Sequence, residues 1–463
     1  KGHPCIATAN KTFEILGGEN LAGENELLPI ATMIHLILGL MTVILVYRST
    51  GSKTSERLAA LILGWVLLVL GVIFLFRTII DYQFNNDLIT TGSFSDSFLR
   101  YGLRSSSIVY VSLVAILPLI YPYPIFYSES FARFGTIFVG VVTILLVPIW
   151  IITNFRFSGI QNLLFFVPFI VWTGVYLRYL FSELLGHNPE DRNVSSVAAL
   201  LLIGVFAEWL TYWLGIVMTQ ENHFTARWAV SNADIVEPTV THLVTSSMRQ
   251  AMIAVTILTL FLGECWRTSK KGFSGVSVII FTFFVIGILW FIFDYTQMGI
   301  VDSCVNTACE DLNPIYATWY VFTSEIIRFL VIPLILMYVI LNFNLIESGG
   351  ENVWFTRIMV LLMLLIVTSS VIELIQTVLP IPQMITSALF AAAVVVFIGW
   401  EEKITNGMIR QSNSVSDVLI TKGETGYLSI DEGEYRVFSI GLGLSLGLAM
   451  LISFLISLME ITV

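Results

Sequence analysis

Four ionisable residues stand near the middle of apolar blocks long enough to cross a bilayer: Glu208, Arg249, Glu325 and Arg328. Each such group costs roughly 2.5–3.5 kcal/mol in lipid, so each is expected to face protein or water. Glu325 and Arg328 are three apart on one predicted helix and share a face, so they can pair with each other. Glu208 and Arg249 then need partners, and the simplest arrangement has them meet. Charges gathered inside a membrane can bind an ionic solute or couple its passage to protons or sodium. They can equally form a buried ion network that fixes helix packing.

A second group lies toward the opposite ends of the blocks from the basic connectors: Arg77, Asp81, Arg104, Asp294, Glu373, His35 and His242. Several are within snorkelling reach of the headgroups. Their shared sidedness suggests a water-filled vestibule open to the outside, with the four central charges at its floor. From the cytoplasmic ends Arg178 and Glu183 are the main intruders. His35 and His242 titrate intrinsically near neutral pH, which suits a proton-linked role, although a single His in an apolar block also serves as hydrogen-bonded packing. Trp209, Tyr212 and Trp213 crowd around Glu208; aromatic walls beside a carboxylate suit a cationic ligand, or simply pack.

The elements that must position these residues follow from composition. Of 463 residues, 56% are hydrophobic and 12% charged, against about 25% charged in soluble proteins. An all-α polytopic membrane protein is predicted, because lipid leaves an isolated strand unpaired and no barrel-like alternation appears. About twelve spans are expected, over 27–47, 58–81, 101–121, 132–152, 162–183, 196–218, 238–262, 274–297, 315–341, 354–378, 383–400 and 437–460. Basic connectors at 48–57, 263–273 and 401–436 fall on one side if the N-terminus is outside, so both ends are expected outside the cytoplasm of a multi-pass cell-membrane protein. YPYPIFY, from Tyr121 to Tyr127, reads as an aromatic belt at the interface.

Weak internal similarity suggests two parallel repeats of six helices, 27–220 and 238–463, after an outer N-terminal segment at 1–26. FRTIIDYQF from Phe76 pairs with WFIFDYTQ from Trp290, and ILPLIY from Ile116 with VIPLIL from Val331. Residues 401–436 contain DVLITKGETGYLSIDE, which reads either as a β-hairpin or as a loop folded back on the helix ends; it is the candidate surface for a protein partner. Cys304 and Cys309, or one of them with Cys5, could form a disulfide outside the cell.

No HExxH, CxxC or P-loop pattern and no GxSxG nucleophile elbow occurs, so no metal site and no cofactor is predicted. A net charge of −10 argues against nucleic acid. The order of a first span, a basic connector with Ser55-Glu56-Arg57, a second span and a third ending in YPYP is loosely similar to multi-helix sensory modules that precede kinase domains. That similarity covers the first third of the chain. Twelve spans in parallel halves resemble a major-facilitator transporter, but the basic loop that family carries between spans two and three is acidic here. The expectation is a secondary transporter or ion-conducting protein acting on a small solute or ion within the lipid bilayer. The alternative is a non-transporting sensor or structural subunit, and an enzyme is the least supported reading.

Overall fold

The computed structural model describes residues 27–49, 54–85, 93–126, 130–152, 163–214, 240–304, 326–327, 329–346, 352–378, 388, 414–424 and 430–461. All regular structure among them is helical. In chain order the helices are α1 Leu27–Arg48, α2 Thr54–Asn85, α3 Phe94–Ile116, α4 Phe131–Ile152, α5 Phe166–Leu185, α6 Asp191–Thr211, α7 Val240–Lys271, α8 Gly275–Cys304, α9 Ile332–Asn342, α10 Val353–Val378, α11 Val415–Thr421 and α12 Glu432–Ile461.

Eight of these helices are long and apolar enough to cross a membrane: α1 to α4, α6 to α8 and α12. The protein is a multi-pass helical membrane protein in outline, with fewer such helices among the described residues than the twelve expected. The span expected at 162–183 is present as α5, but Arg178 and Glu183 lower its apolar character. The one expected at 315–341 is described only from 326 onward, and 383–400 lies outside the described residues save 388. Outward faces are apolar where a soluble protein would be polar, as with Met33 on α1, Ile137 and Leu145 on α4, and Leu444 and Leu455 on α12, all exposed.

Packing is close where small residues let backbones approach. A Cβ at Gly39 on α1 would stand 2.7 Å from the backbone nitrogen of Leu68 on α2, so this antiparallel pair needs glycine there. At the centre lies α6, whose residues from Val194 to Ala207 are buried on every side. It packs against α5, α8 and α9, while α12 packs against α3 and α4 from the first predicted half.

The short turns of the chain gather at one end, called the basal end here. They join α1 to α2, α5 to α6 and α7 to α8, and residues 414–424 lie with them. Three expectations are corrected there. The run DVLIT is not a strand: Val415–Thr421 is helical, its start capped by the Ser414 hydroxyl, which accepts from the Asp417 amide. The connector expected at 263–273 is mostly helix, because α7 runs on to Lys271 and carries Arg267 with it. Tyr121 is not an interfacial belt residue: it is fully buried, and its carbonyl accepts the Trp172 indole N–H at 2.9 Å.

Candidate functional site

A site is built in mid-bundle around one interrupted helix. α6 loses helical geometry at Phe206, where φ is −116° and ψ 20°, two residues before Glu208. The Tyr110 hydroxyl of α3 donates to the Val205 carbonyl at that break, at 3.3 Å. The neighbouring α9 is preceded by a π-helical turn over the described residues of 326–331, and Pro333 follows in its first turn. Such π turns occur mostly as local insertions, often at functional sites.

The α6 break lies beside α9. Gly204, one turn before Glu208, lies against Ile335 and Leu336 of α9, so closely that a Cβ would stand 2.9 Å from Leu336 Cδ2. Counted from that contact, Phe206 lies about 3 Å and residues 326–331 about 6–14 Å farther along their helices.

Around the α6 break the side chains are aromatic. Phe169 stacks on Phe206 with ring centroids 4.2 Å apart, and Phe165 meets Trp209 edge-on at 4.9 Å. The guanidinium of Arg249, on α7, lies over the Trp209 ring at 4.3 Å. The sequence left this aromatic wall open to a cationic ligand or to packing; the protein puts its own arginine there. Arg249 is thereby brought to the residue next to Glu208, and Glu208 itself is half-buried. Tyr212 and Trp213 point elsewhere, onto Trp290 at 4.8 Å and Phe284 at 5.2 Å.

The remaining expected residues divide plainly. His35 is fully buried; its Nδ1 bonds the Ala31 carbonyl at 2.8 Å and its ring meets Phe74 edge-on at 4.9 Å. Phe74 in turn meets Phe329 at 5.1 Å, beside the π turn. Its second nitrogen has no hydrogen bond among the described residues. Glu325 and Arg328 lie outside the described residues, though their neighbours Ile326, Ile327 and Phe329 are buried. His242, Asp294 and Glu373 fall on α7, α8 and α10, with side chains outside the described set, as are the cysteines proposed for a disulfide; Cys265 is a free thiol.

No family model, curated protein or solved structure matches this chain. The geometry has to speak for itself, and its second message is at the basal end.

There the densest ionic cluster went unread in the sequence. Arg267 is fully buried. Its Nε donates to Glu183 Oε2 at 3.0 Å, Nη1 to Glu264 Oε1 at 2.5 Å and Nη2 to the Ser195 hydroxyl at 2.6 Å. Glu264 also accepts from the Tyr176 hydroxyl at 3.0 Å and from Ser277 at 2.5 Å. Lys271 approaches the other oxygen of Glu183 at 3.4 Å. Two carboxylates are thus balanced by two cations, with α5, α6, α7 and α8 joined. The expectation that few charges intrude from this side is overturned. The signal was present: Glu264 and Arg267 are three apart and would share a helix face, had the helix been continued through them.

Among the described residues no group of three His, Cys, Asp or Glu side chains is placed to hold a metal ion.

Proposed function

We propose that this protein is a secondary transporter or ion-conducting protein whose site lies where the interrupted α6 crosses α9. On this reading the whole chain crosses the membrane about twelve times in two parallel sets of six. The basal end faces the cytoplasm and both termini lie outside.

The observation that carries the reading is the break in α6 at Phe206, with Glu208 and Arg249 beside it and α9 packed two residues away at Gly204. A broken helix frees backbone groups and helix ends at mid-membrane depth, the arrangement transporters use to bind solutes and coupling ions. Glu208 and Arg249 then act as the charged pair that meets the solute or its coupling ion, Trp209 holds Arg249 in place, and Glu325 and Arg328 form the neighbouring tier. Arg48, Arg57, Lys270, Lys271, Lys422 and Arg436 at the basal end fit a cytoplasmic face.

The rival reading, a sensor or structural subunit that offers 401–436 to a partner, has less support. In the described part of that segment Ser414, Lys422 and Glu424 already bond to α2, α6 and α5 of the same chain.

The test is flux into proteoliposomes challenged with a panel of organic cations, amino acids, carboxylates, sugars, sodium and potassium. At least one solute should enter through the parent protein, and Glu208→Gln and Arg249→Ala should each lower its entry at least tenfold at equal reconstitution. No flux of any panel member, or full flux through both variants, overturns the proposal.

A further inference from the structure

Residues 414–424 cross the basal end as a strap fastened at three places. At its start the buried Glu56 carboxylate, on the first turn of α2, accepts from the Ser414 hydroxyl at 2.9 Å and the Ser416 amide at 3.0 Å. Beside this, the Ser55 and Ser416 hydroxyls are 3.0 Å apart. Farther along, Lys422 pairs with Asp191, the fully buried first residue of α6. At the end, Glu424 accepts from the Tyr179 hydroxyl and meets Arg178 at 3.3 Å, both on α5.

Between the fastenings, Val415, Val418 and Leu419 of α11 turn their apolar faces into the bundle and are buried. Gly423 then reverses the chain with φ at +68°, so that Lys422 and Glu424 reach different helices. The same segment continues into α12, where Glu432 pairs with Arg57 through two bonds, one of them 2.8 Å long.

This arrangement has a mechanical meaning. α6 runs unbroken from Asp191, under the strap, to its break at Phe206, beside the candidate site. The strap is pinned to the lower ends of α2, α5 and α6, so these ends can part on that side only when it lets go. The strap's own charged side chains, Lys422 and Glu424, are partly exposed, whereas Arg267, Glu264 and Glu183 are wholly buried. When the strap lifts, Lys422 and Glu424 can pass into water, while Asp191 and Glu56 stay on the buried side; Arg267 and its two carboxylates have no such exit.

We propose that residues 414–424 are the cytoplasmic gate of the transport path, closed in this structure and opened by release of Lys422 from Asp191. The proposal rests on the transport reading above, and two measurements separate them. In a protein whose four cysteines are replaced by serine, Leu419→Cys places a thiol on the buried side of the strap. A membrane-impermeant maleimide applied to the basal face should label it slowly in the parent and at least tenfold faster when Asp191→Asn or Lys422→Gln is added. Equal labelling in all three overturns the latch, whether or not the protein transports anything.

The second measurement uses Ser55→Cys with Ser416→Cys, whose Oγ atoms already approach to 3.0 Å. Oxidation should bridge them and lower flux at least tenfold, and a reductant should restore it. Failure to bridge overturns the placement of the strap, and undiminished flux through the bridged protein overturns its role as a gate. A parent protein that carries no solute overturns the transport reading instead, while the labelling result still judges the latch.

Discussion

Charge is handled in opposite ways in the two polar regions of this molecule. At the basal end Arg267 has all three of its nitrogens on oxygen; Glu264 accepts from two further donors, and Lys271 stands 3.4 Å from Glu183. In mid-bundle the Arg249 guanidinium rests on the face of Trp209, next to a break in α6 and a half-buried Glu208. The first arrangement is rigid because every partner has a fixed direction. In the second the cation lies over a flat, weakly directional aromatic face in addition to its other contacts, beside a helix that is already interrupted. One region therefore reads as the clamp that holds α5 to α8 together, and the other as the place where something can be exchanged.

The sharpest way to break this contrast is Arg267→Met. It leaves Glu183 and Glu264 buried with one cation between them, and a buried pair that loses one member costs about 3–5 kcal/mol. Thermal unfolding in detergent should show a large loss of stability; an unchanged midpoint would mean the basal cluster is no clamp. Arg249→Gln should cost much less, about 0.5–2 kcal/mol for a cation lifted from an indole. The same unfolding assay checks it, and a loss as large as that of Arg267→Met would make Arg249 a packing residue and erase the distinction. The smallest effect is expected from Tyr110→Phe, which removes one hydrogen bond to the Val205 carbonyl and should cost about 0.5–1.5 kcal/mol. If it instead leaves stability unchanged, the break at Phe206 does not depend on that bond.

Much of the frame was legible because apolar length is a blunt, reliable signal. α1, α2, α4 and α12 lie within a few residues of the runs that predicted them. The basal clamp was hidden by the same logic. Hydropathy falls at GECWRTSKK, so the helix was ended at 262 and its charges were assigned to a connector, although Glu264 and Arg267 are buried on a helix that continues. In α11 the residues Val415, Val418, Leu419 and Ile420 favour a strand by type, but the Ser414–Asp417 cap and the spacing of the buried positions favour the helix that forms. The break at Phe206 carries no proline and had no local signal; tertiary contacts at Gly204 and Tyr110 accompany it. Of the expected site, Arg249 and Glu208 are brought close in the sense that one lies on the neighbour of the other. His35 sits instead in packed surroundings, against Phe74 and its own helix backbone.

Only residues 272–274 separate α7 from α8, and Gly272 takes φ of +82° to turn the chain there. During synthesis these two helices must enter the membrane together as one hairpin. Glu183 and Asp191 are made well before this hairpin and reach the lipid without the bases that later neutralise them. The hairpin delivers Arg267 and Lys271 to Glu183 in a single event, bringing Glu264 and Ser277 already side by side. Asp191 waits longer than Glu183, until Lys422 emerges near the end of the chain. Glu424 and Glu432 follow for Tyr179 and Arg57, so the fastenings of the strap are the last basal contacts to be assembled.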